Sequence, residues 1–229
     1  MRQTIRYAFI KTIPVLLGYE FLGLAFGLLL QESGYSFWWA LLASTVIYAG
    51  SIQFVLVSFL SGGTSLPVAA VMTLLINSRH AFYGLTFVEK FRKMKTYPYM
   101  VFSLTDETYS LLCSVKIPPG LNEKKTMFLI ALFNQCYWVS GSVLGAALGE
   151  ILPFDMTGID FAMTALFVTI FVEQWIEAKS HKPALIGLCS SLLCLWVFGG
   201  NSFILPSLMI TVTLLMALRK TMEQEDAAL

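Results

Sequence analysis

The sequence predicts an all-α, polytopic integral membrane bundle of about eight transmembrane segments, some of them broken or re-entrant. Three observations carry this expectation. The 229 residues are 57% hydrophobic and only 13% charged, where a soluble domain carries about 25% charged residues. The apolar residues collect into eight long stretches. The stretches are separated by glycine, proline or charge, the residues that interrupt helices. A single transmembrane domain over 1–229 follows, because nothing is left over for a soluble one.

In chain order the segments are about Ile13–Leu30, Phe37–Leu60, Leu66–Val88, Tyr97–Val115, Thr126–Leu152, Phe161–Ile176, Ala184–Phe198 and Phe203–Leu218. A helix needs roughly 17–25 residues to cross a bilayer, and the last three are near or below that minimum. Arg2, Arg6 and Lys11 before the first segment imitate a signal peptide. Glu20 inside it, with no small-x-small cleavage site, favours a retained span. Breaks fall at Gln31–Gly34, Gly62-Gly63, Pro118-Pro119-Gly120, Pro153 and Gly199-Gly200-Asn201. Trp38, Trp39, Tyr97 and Tyr99 are placed as interface anchors. Cys113, Cys136, Cys189 and Cys194 all lie in apolar stretches and are expected as buried thiols, without metal-ligand spacing.

Lys and Arg mark the cytoplasmic side. They cluster at the N-terminus, at Lys90–Lys95, Lys116–Lys125, Lys179–Lys182 and Arg219-Lys220, and are missing from 31–36 and 150–158. Eight plain spans put both termini inside but leave Lys90–Lys95, the most basic loop, outside. A broken or re-entrant element within residues 66–115 removes the conflict, since irregular backbone is tolerated at membrane depth only when buried in protein or lining a cavity. Gly23-x3-Gly27 before Gly34 and Phe37, and Gly145-x3-Gly149 before Gly158 and Phe161, suggest repeat halves of about 13–115 and 126–218. Whether they are parallel or inverted depends on that topology.

Three polar constellations interrupt the apolar stretches. Asn77-Ser78-Arg79-His80 lies in the third segment and Thr105-Asp106-Glu107 in the fourth. An ionised side chain at the centre of a membrane helix costs ~2.5–3.5 kcal/mol on the insertion scale, so such groups face a partner, a cavity or a pathway. Arg79 and His80 are read as snorkelling groups or as receivers of an anion. Asp106 and Glu107 either neutralise Arg79 or carry a proton, because adjacent acids raise one carboxyl's affinity for it. Tyr48-Ala49-Gly50-Ser51-Ile52-Gln53 is the third. It is a packing patch with Gln53 bonding between helices, or a break at Gly50 that turns backbone dipoles toward a zwitterion. Glu20 is a mid-span acid for pairing with Arg79 or His80. Asn134, Gln135 and Trp138 are expected to hydrogen-bond across the bundle, and Glu173 and Gln174 to sit at a span end.

The order Gly18-Tyr19-x3-Gly23-x-Ala25-Phe26-Gly27, Tyr48-Ala49-Gly50-Ser51-x-Gln53-Phe54, Asn77-x-Arg79-His80 and Thr105-Asp106-Glu107 resembles the AzlC family over about Ile13 to Leu218. The resemblance implies the large subunit of a bacterial branched-chain amino acid exporter in the cytoplasmic membrane, working with a small AzlD-like membrane subunit. Glu20 stands where the family leads one to expect proline.

A net charge of +1 gives no general attraction to nucleic acid. No zinc motif, Gly-x-Ser-x-Gly elbow or Walker loop is present, so ATP hydrolysis is excluded and no metal or cofactor is expected. The leading class is a secondary exporter of small hydrophobic amino acids such as valine, leucine or isoleucine. Tyr48, Gly50, Ser51, Gln53, Asn77, Arg79 and His80 are its substrate-binding candidates, and Asp106, Glu107 and Glu20 serve for coupling or charge pairing. A lipid-head-group enzyme within the membrane and a non-transporting scaffold are the alternatives. Homo-oligomerisation is left open.

Overall fold

The computed structural model describes residues 1–151, 180–199 and 203–226, with residues 161, 164, 165, 168, 171, 172, 175 and 176 between them. The side chains at 79, 81, 82, 85, 205 and 219–226 lie outside that description. The helices are α1 (Arg2–Glu32), α2 (Phe37–Val46), α3 (Gly50–Ser61), α4 (Leu66–Arg92), α5 (Tyr97–Phe102), α6 (Asp106–Ser114), α7 (Glu123–Ile151), α8 (Lys182–Phe198) and α9 (Ile204–Asp226). Two compact units divide the chain. One holds Met1–Thr64 and Ile76–Met163, the other Ser65–Leu75 and Thr164–Leu229.

Among the described residues, α1 and α7 are each long and apolar enough to cross a membrane. They run side by side and in the same direction. Their contact is made by glycine facing glycine. A Cβ added to Gly23 would lie 2.9 Å from Ser142 N, one on Gly27 2.1 Å from Ser142 O, and one on Gly145 2.2 Å from Leu24 O. The backbones therefore approach to distances that no larger residue allows. The two small-x3-small stretches pack against each other in one interface. Thr12 to Tyr137 (3.0 Å) and the edge-on Phe9–Phe133 pair continue the contact toward the helix starts.

Two of the expected spans turn back instead of crossing. Segment two is α2, a break at Ile47-Tyr48-Ala49, and α3. Its first residue donates to the far end of α7, Phe37 N to Glu150 Oε1 at 3.0 Å. Thr45 O is already level with the middle of α7, accepting from Gln135 Nε2 at 3.3 Å. The end of α3 has come back to the end of α1, with Ser61 Oγ donating to Ser33 Oγ at 3.2 Å. Segment four is α5, a break at Ser103-Leu104-Thr105, and α6. It starts and finishes at the opposite end of the unit. Lys124 Nζ donates to Lys93 O at 2.6 Å just before α5, and Tyr7 OH donates to Lys116 O at 2.8 Å just after α6.

Local chemistry explains each break. Tyr48 has φ +43, a left-handed conformation that costs a residue with a Cβ roughly 1–2 kcal/mol and ends α2. The Ala49 N–H lost to the helix is accepted by the Gln53 side chain at 3.2 Å. At the second break Ser103 Oγ donates back to Tyr99 O at 2.8 Å, and Thr105 restarts the chain as the N-cap of α6, accepting from Thr108 N. The third segment, which carries Asn77–His80, is the continuous helix α4. Of the two polar-centred segments in 66–115, only the fourth is therefore broken.

Lys90 on α4 pairs with Glu123 at the start of α7 at 3.3 Å. One end of this unit thus gathers the N-terminus, Lys90–Lys95 and Lys116–Lys125. The other end carries residues 31–36, 61–64 and 150, which include no Lys or Arg. Tyr99 was placed as an interface anchor, but its hydroxyl reaches inward to Gln135 Oε1 at 2.8 Å. Trp38 and Trp39 are exposed, as an anchor requires. Cys113, Cys136 and Cys189 face outward and only Cys194 is buried. This corrects the expectation of buried thiols, since an outward position on a span is apolar without being covered by protein. In the second unit α8 packs on α9, with Ser190 and Thr211 hydroxyls bonded and Gly187 facing Thr211 Cγ2. Glu173 and Gln174 lie outside the described residues.

The hairpins make a labelling prediction. In a background lacking the native cysteines, single cysteines at Lys93 and Lys116 should both resist an impermeant reagent added to intact cells, and those at Ser33 and Ser61 should both react. A split within either pair would contradict the hairpins. Replacing Gly27 or Gly145 by leucine should cost about 3 kcal/mol or more by overpacking. Gly18→Leu has open space around it and should leave unfolding in detergent, followed by heating and size-exclusion, unchanged.

Candidate functional site

The two hairpin tips enter the first unit from opposite ends and meet between the middles of α1 and α7. Tyr48, at the first tip, faces Phe102 at the second, with ring centroids 6.1 Å apart. Above them Tyr19 of α1 and Trp138 of α7 meet edge to face at 5.4 Å, and Phe26 stacks on the same indole.

Gln53 holds the first tip. It is completely buried. Its Oε1 accepts from Trp138 Nε1 at 2.9 Å as well as from Ala49 N, and its Nε2 donates to Ser44 Oγ at 3.1 Å. The interhelical role expected for Gln53 and Trp138 is present, and it braces the break. Gly50 is the first residue of α3, one step after the break. A Cβ there would sit 3.2 Å from Trp138 Cη2, so glycine at this position serves the indole's packing, while the turn itself belongs to Tyr48. Ser51 is buried in the first turn of α3.

A chain of hydroxyls holds the second tip. Tyr19 OH donates to Glu107 Oε2 at 2.7 Å and is 2.7 Å from Thr105 Oγ1. Thr105 and Thr108 hydroxyls are bonded at 3.0 Å, and Asn134 Nδ2 donates to Thr108 Oγ1 at 3.0 Å. Asp106 shares the first turn of α6 with Glu107. On α4, Tyr83 stacks on Tyr109 of α6 at 4.4 Å, and His80 meets Tyr83 edge-on at 5.6 Å with its Nδ1 3.3 Å from Asn77 O. One turn back along both helices brings His80 to the level of Asp106. Arg79 lies on this stretch of backbone, and its side chain lies outside the described residues. Glu20 accepts from Ser140 Oγ at 2.5 Å on the flank of the α1–α7 contact.

The two tips differ in charge. A helix start carries roughly +0.5 of an elementary charge. The first turn of α6 holds two acids, which more than compensate it. The first turn of α3 holds none, and its N-cap, Ala49, makes no side-chain cap. The acidic side chains therefore collect at one tip and are missing from the start of the helix at the other. Among the described residues, Oδ1 of Asn134 (0% exposed) is buried beside them without a hydrogen-bond partner, and the buried Tyr48 hydroxyl (2%) lies next to Thr108 and Thr105 without a well-formed bond. A buried polar atom left unpaired costs about 1–3 kcal/mol, so a ligand that supplies the missing partners is favoured here. Asn77 Oδ1, on α4, is likewise buried and unpartnered. Tyr19, Thr108 and Asn134 were not expected in the site. The Thr105-x2-Thr108 spacing of a helix cap was the legible sign for one of them.

Comparison with known proteins identifies the family. A model of the AzlC protein family matches residues 14–152, which contain most of α1, both hairpins, α4 and α7. The branched-chain amino acid transport protein AzlC of Bacillus subtilis is 38% identical over 97% of this chain and 88% of its own length. An uncharacterized membrane protein of Helicobacter pylori strain 26695 is 40% identical over 94% of this chain and 95% of its own. The inner membrane protein YgaZ of Escherichia coli is 29% identical over 77% and 76%. No solved structure matches. The chain belongs to the AzlC family and is a membrane protein.

Gln53→Leu would leave the Trp138 and Ala49 N–H groups buried without an acceptor. It should lower stability by about 2–4 kcal/mol. Trp138→Phe, which leaves Gln53 bonded to Ala49 and Ser44, should cost less. The pair should be non-additive in a double-mutant cycle read by thermal unfolding.

Proposed function

We propose that this chain is a secondary transporter that exports small hydrophobic amino acids, valine, leucine and isoleucine first, from the bacterial cytoplasm, together with a small AzlD-like membrane subunit. The observation that carries this is the meeting of two hairpin tips, one starting its helix with two acids and the other with none, next to the buried and unpartnered Asn134 Oδ1. A zwitterion needs donors for its carboxylate and acceptors for its ammonium, and discontinuous helices supply both. The carboxylate is assigned to the start of α3 at Gly50 and Ser51, with Tyr48 and with Asn77, Arg79 and His80 from α4. The ammonium is assigned to Asp106 and Glu107. The aliphatic side chain is assigned to the aromatic surroundings of Phe26, Phe54 and Phe102.

The transport function named for the Bacillus relative supports this reading. So does the charge pattern. If segments two and four re-enter and the other six cross, all five basic clusters fall on the cytoplasmic side and both termini are inside, as the positive-inside rule demands. No Walker loop accompanies the site, so the driving force is the substrate gradient or an ion. One charge moving through 100 mV supplies about 2.3 kcal/mol.

Cells that carry this chain with an AzlD-like subunit should retain less valine after feeding with a valine-containing dipeptide than cells lacking it. Equal retention, with both proteins confirmed in the membrane, would refute export. Counterflow of labelled valine in proteoliposomes should return the compound unchanged, whereas an enzyme would modify it.

A further inference from the structure

We propose that the outward face shared by α1, α7 and α2 is a docking groove for a transmembrane helix of a second polypeptide, one that brings a lysine, arginine or histidine to Glu20 at mid-depth. The inference gives the small membrane subunit of the proposed function a place to bind, and it rests on that reading only for the identity of the partner.

Between Lys11 and Glu32 on α1, throughout α2, and from Thr126 to Gly149 on α7, Glu20 is the single charged residue. It stands nine residues beyond Lys11 and thirteen before Ser33. At 1.5 Å per residue those are about 14 and 20 Å, which puts it near the middle of a hydrocarbon core about 30 Å thick. Its carboxyl turns to the outer flank of the α1–α7 contact and is half-buried there. Among the described residues it receives one hydrogen bond, from Ser140 Oγ at 2.5 Å, and no lysine, arginine or histidine pairs with it. Ser140 has a single hydroxyl hydrogen and is also within bonding distance of Cys136 O (2.8 Å) and Tyr137 O (3.0 Å), so even that bond is shared. A carboxylate has room for several.

Ser140 opens onto a groove of about 660 Å³ between α2 and α7, lined by Leu41 and Thr45 on one side and by Cys136, Val143 and Leu144 on the other. Thr45, Cys136, Ser140 and Leu144 are exposed in it. Gln135, at the same groove, is already taken up, donating to Thr45 O and accepting from Tyr99. The carboxyl is not. Acyl chains offer it neither a donor nor a counter-charge, and an acid facing them is costly. What fits is a surface that is apolar along its length and cationic at its centre. Backbone in the hydrocarbon region must satisfy its own hydrogen bonds, so that surface is a helix. A second copy of this chain would bring the same cation-free face, and a two-fold contact would set acid against acid. Charge complementarity therefore selects a different polypeptide.

The full-length chain, co-expressed with an AzlD-like subunit and carrying a photo-reactive phenylalanine in place of Leu144, can be illuminated in cell membranes and its adducts mapped by mass spectrometry. The adduct should fall on a transmembrane segment of the subunit with a basic residue within about one turn of the cross-linked site. Glu20→Lys should lower the cross-linked fraction, normalised to chain in the membrane, by about tenfold or more, and Glu20→Gln by less. Exchanging the subunit's basic residue for glutamate should remove the cross-link from the wild-type chain and restore it to the Glu20→Lys chain. Adducts with a second copy, with α8 or α9 of the same chain, with lipid alone, or with a segment that has no basic residue overturn the proposal. So does a cross-link that Glu20→Lys leaves unchanged. Valine export without the cross-link would refute the docking groove and leave the transport reading standing. A cross-link that follows the charge exchange without valine export would do the reverse.

Discussion

The direct backbone contact between α1 and α7 is the constraint on which the rest of the first unit depends. Gly23 and Gly27 on one helix and Gly141 and Gly145 on the other bring the backbones so close that a Cβ on Gly27 or Gly145 would fall about 2 Å from a carbonyl oxygen. Lipid offers no hydrophobic drive for helices to associate, so close packing of this kind supplies much of the association energy. It also fixes register. Once Gly23 faces Ser142, Tyr19 must stand beside Trp138, and these two residues hold the two hairpin tips, one through Glu107 and Thr105, the other through Gln53.

The hairpins follow from the same economy of polar groups. A broken helix in a membrane exposes backbone donors and acceptors that no lipid can satisfy. Here side chains of α1 and α7 and of the hairpins themselves take most of them, as Gln53 does for Ala49. Among the described residues the meeting point keeps an amide oxygen, Asn134 Oδ1, buried and unpaired beside two helix starts, one carrying two acids and the other none.

The helical membrane class was legible in the sequence because hydropathy reports burial in lipid directly. The basic loop at Lys90–Lys95 conflicted with eight plain spans, and the conflict correctly pointed to a re-entrant element in the fourth segment. It did not single that segment out from the third. A polar run such as Asn77–His80 looks the same in a continuous helix whose polar face is covered as in a broken one. The first hairpin left no charge conflict, because residues 62–65 carry no Lys or Arg. Its only sign was the polar patch at Tyr48–Gln53, and even there the glycine that suggested the break proved to be a seat for Trp138. Tyr19, Thr108 and Asn134 were not expected in the site, because single hydroxyl and amide groups in a span have no pattern until the fold brings them together. The glycine motifs were legible as motifs, but their spacing did not show that they face one another.

The whole arrangement requires that the first hairpin enter and leave at one end of the α1–α7 pair. Pairwise disulfide trapping reports that geometry. Cysteines placed together at Ser33 and Ser61, in a chain lacking the native four, should cross-link rapidly under mild oxidant, because these hydroxyls are 3.2 Å apart. If segment two crossed the membrane as a plain span, the same two positions would stand about 30 Å apart on opposite faces, and no bond would form.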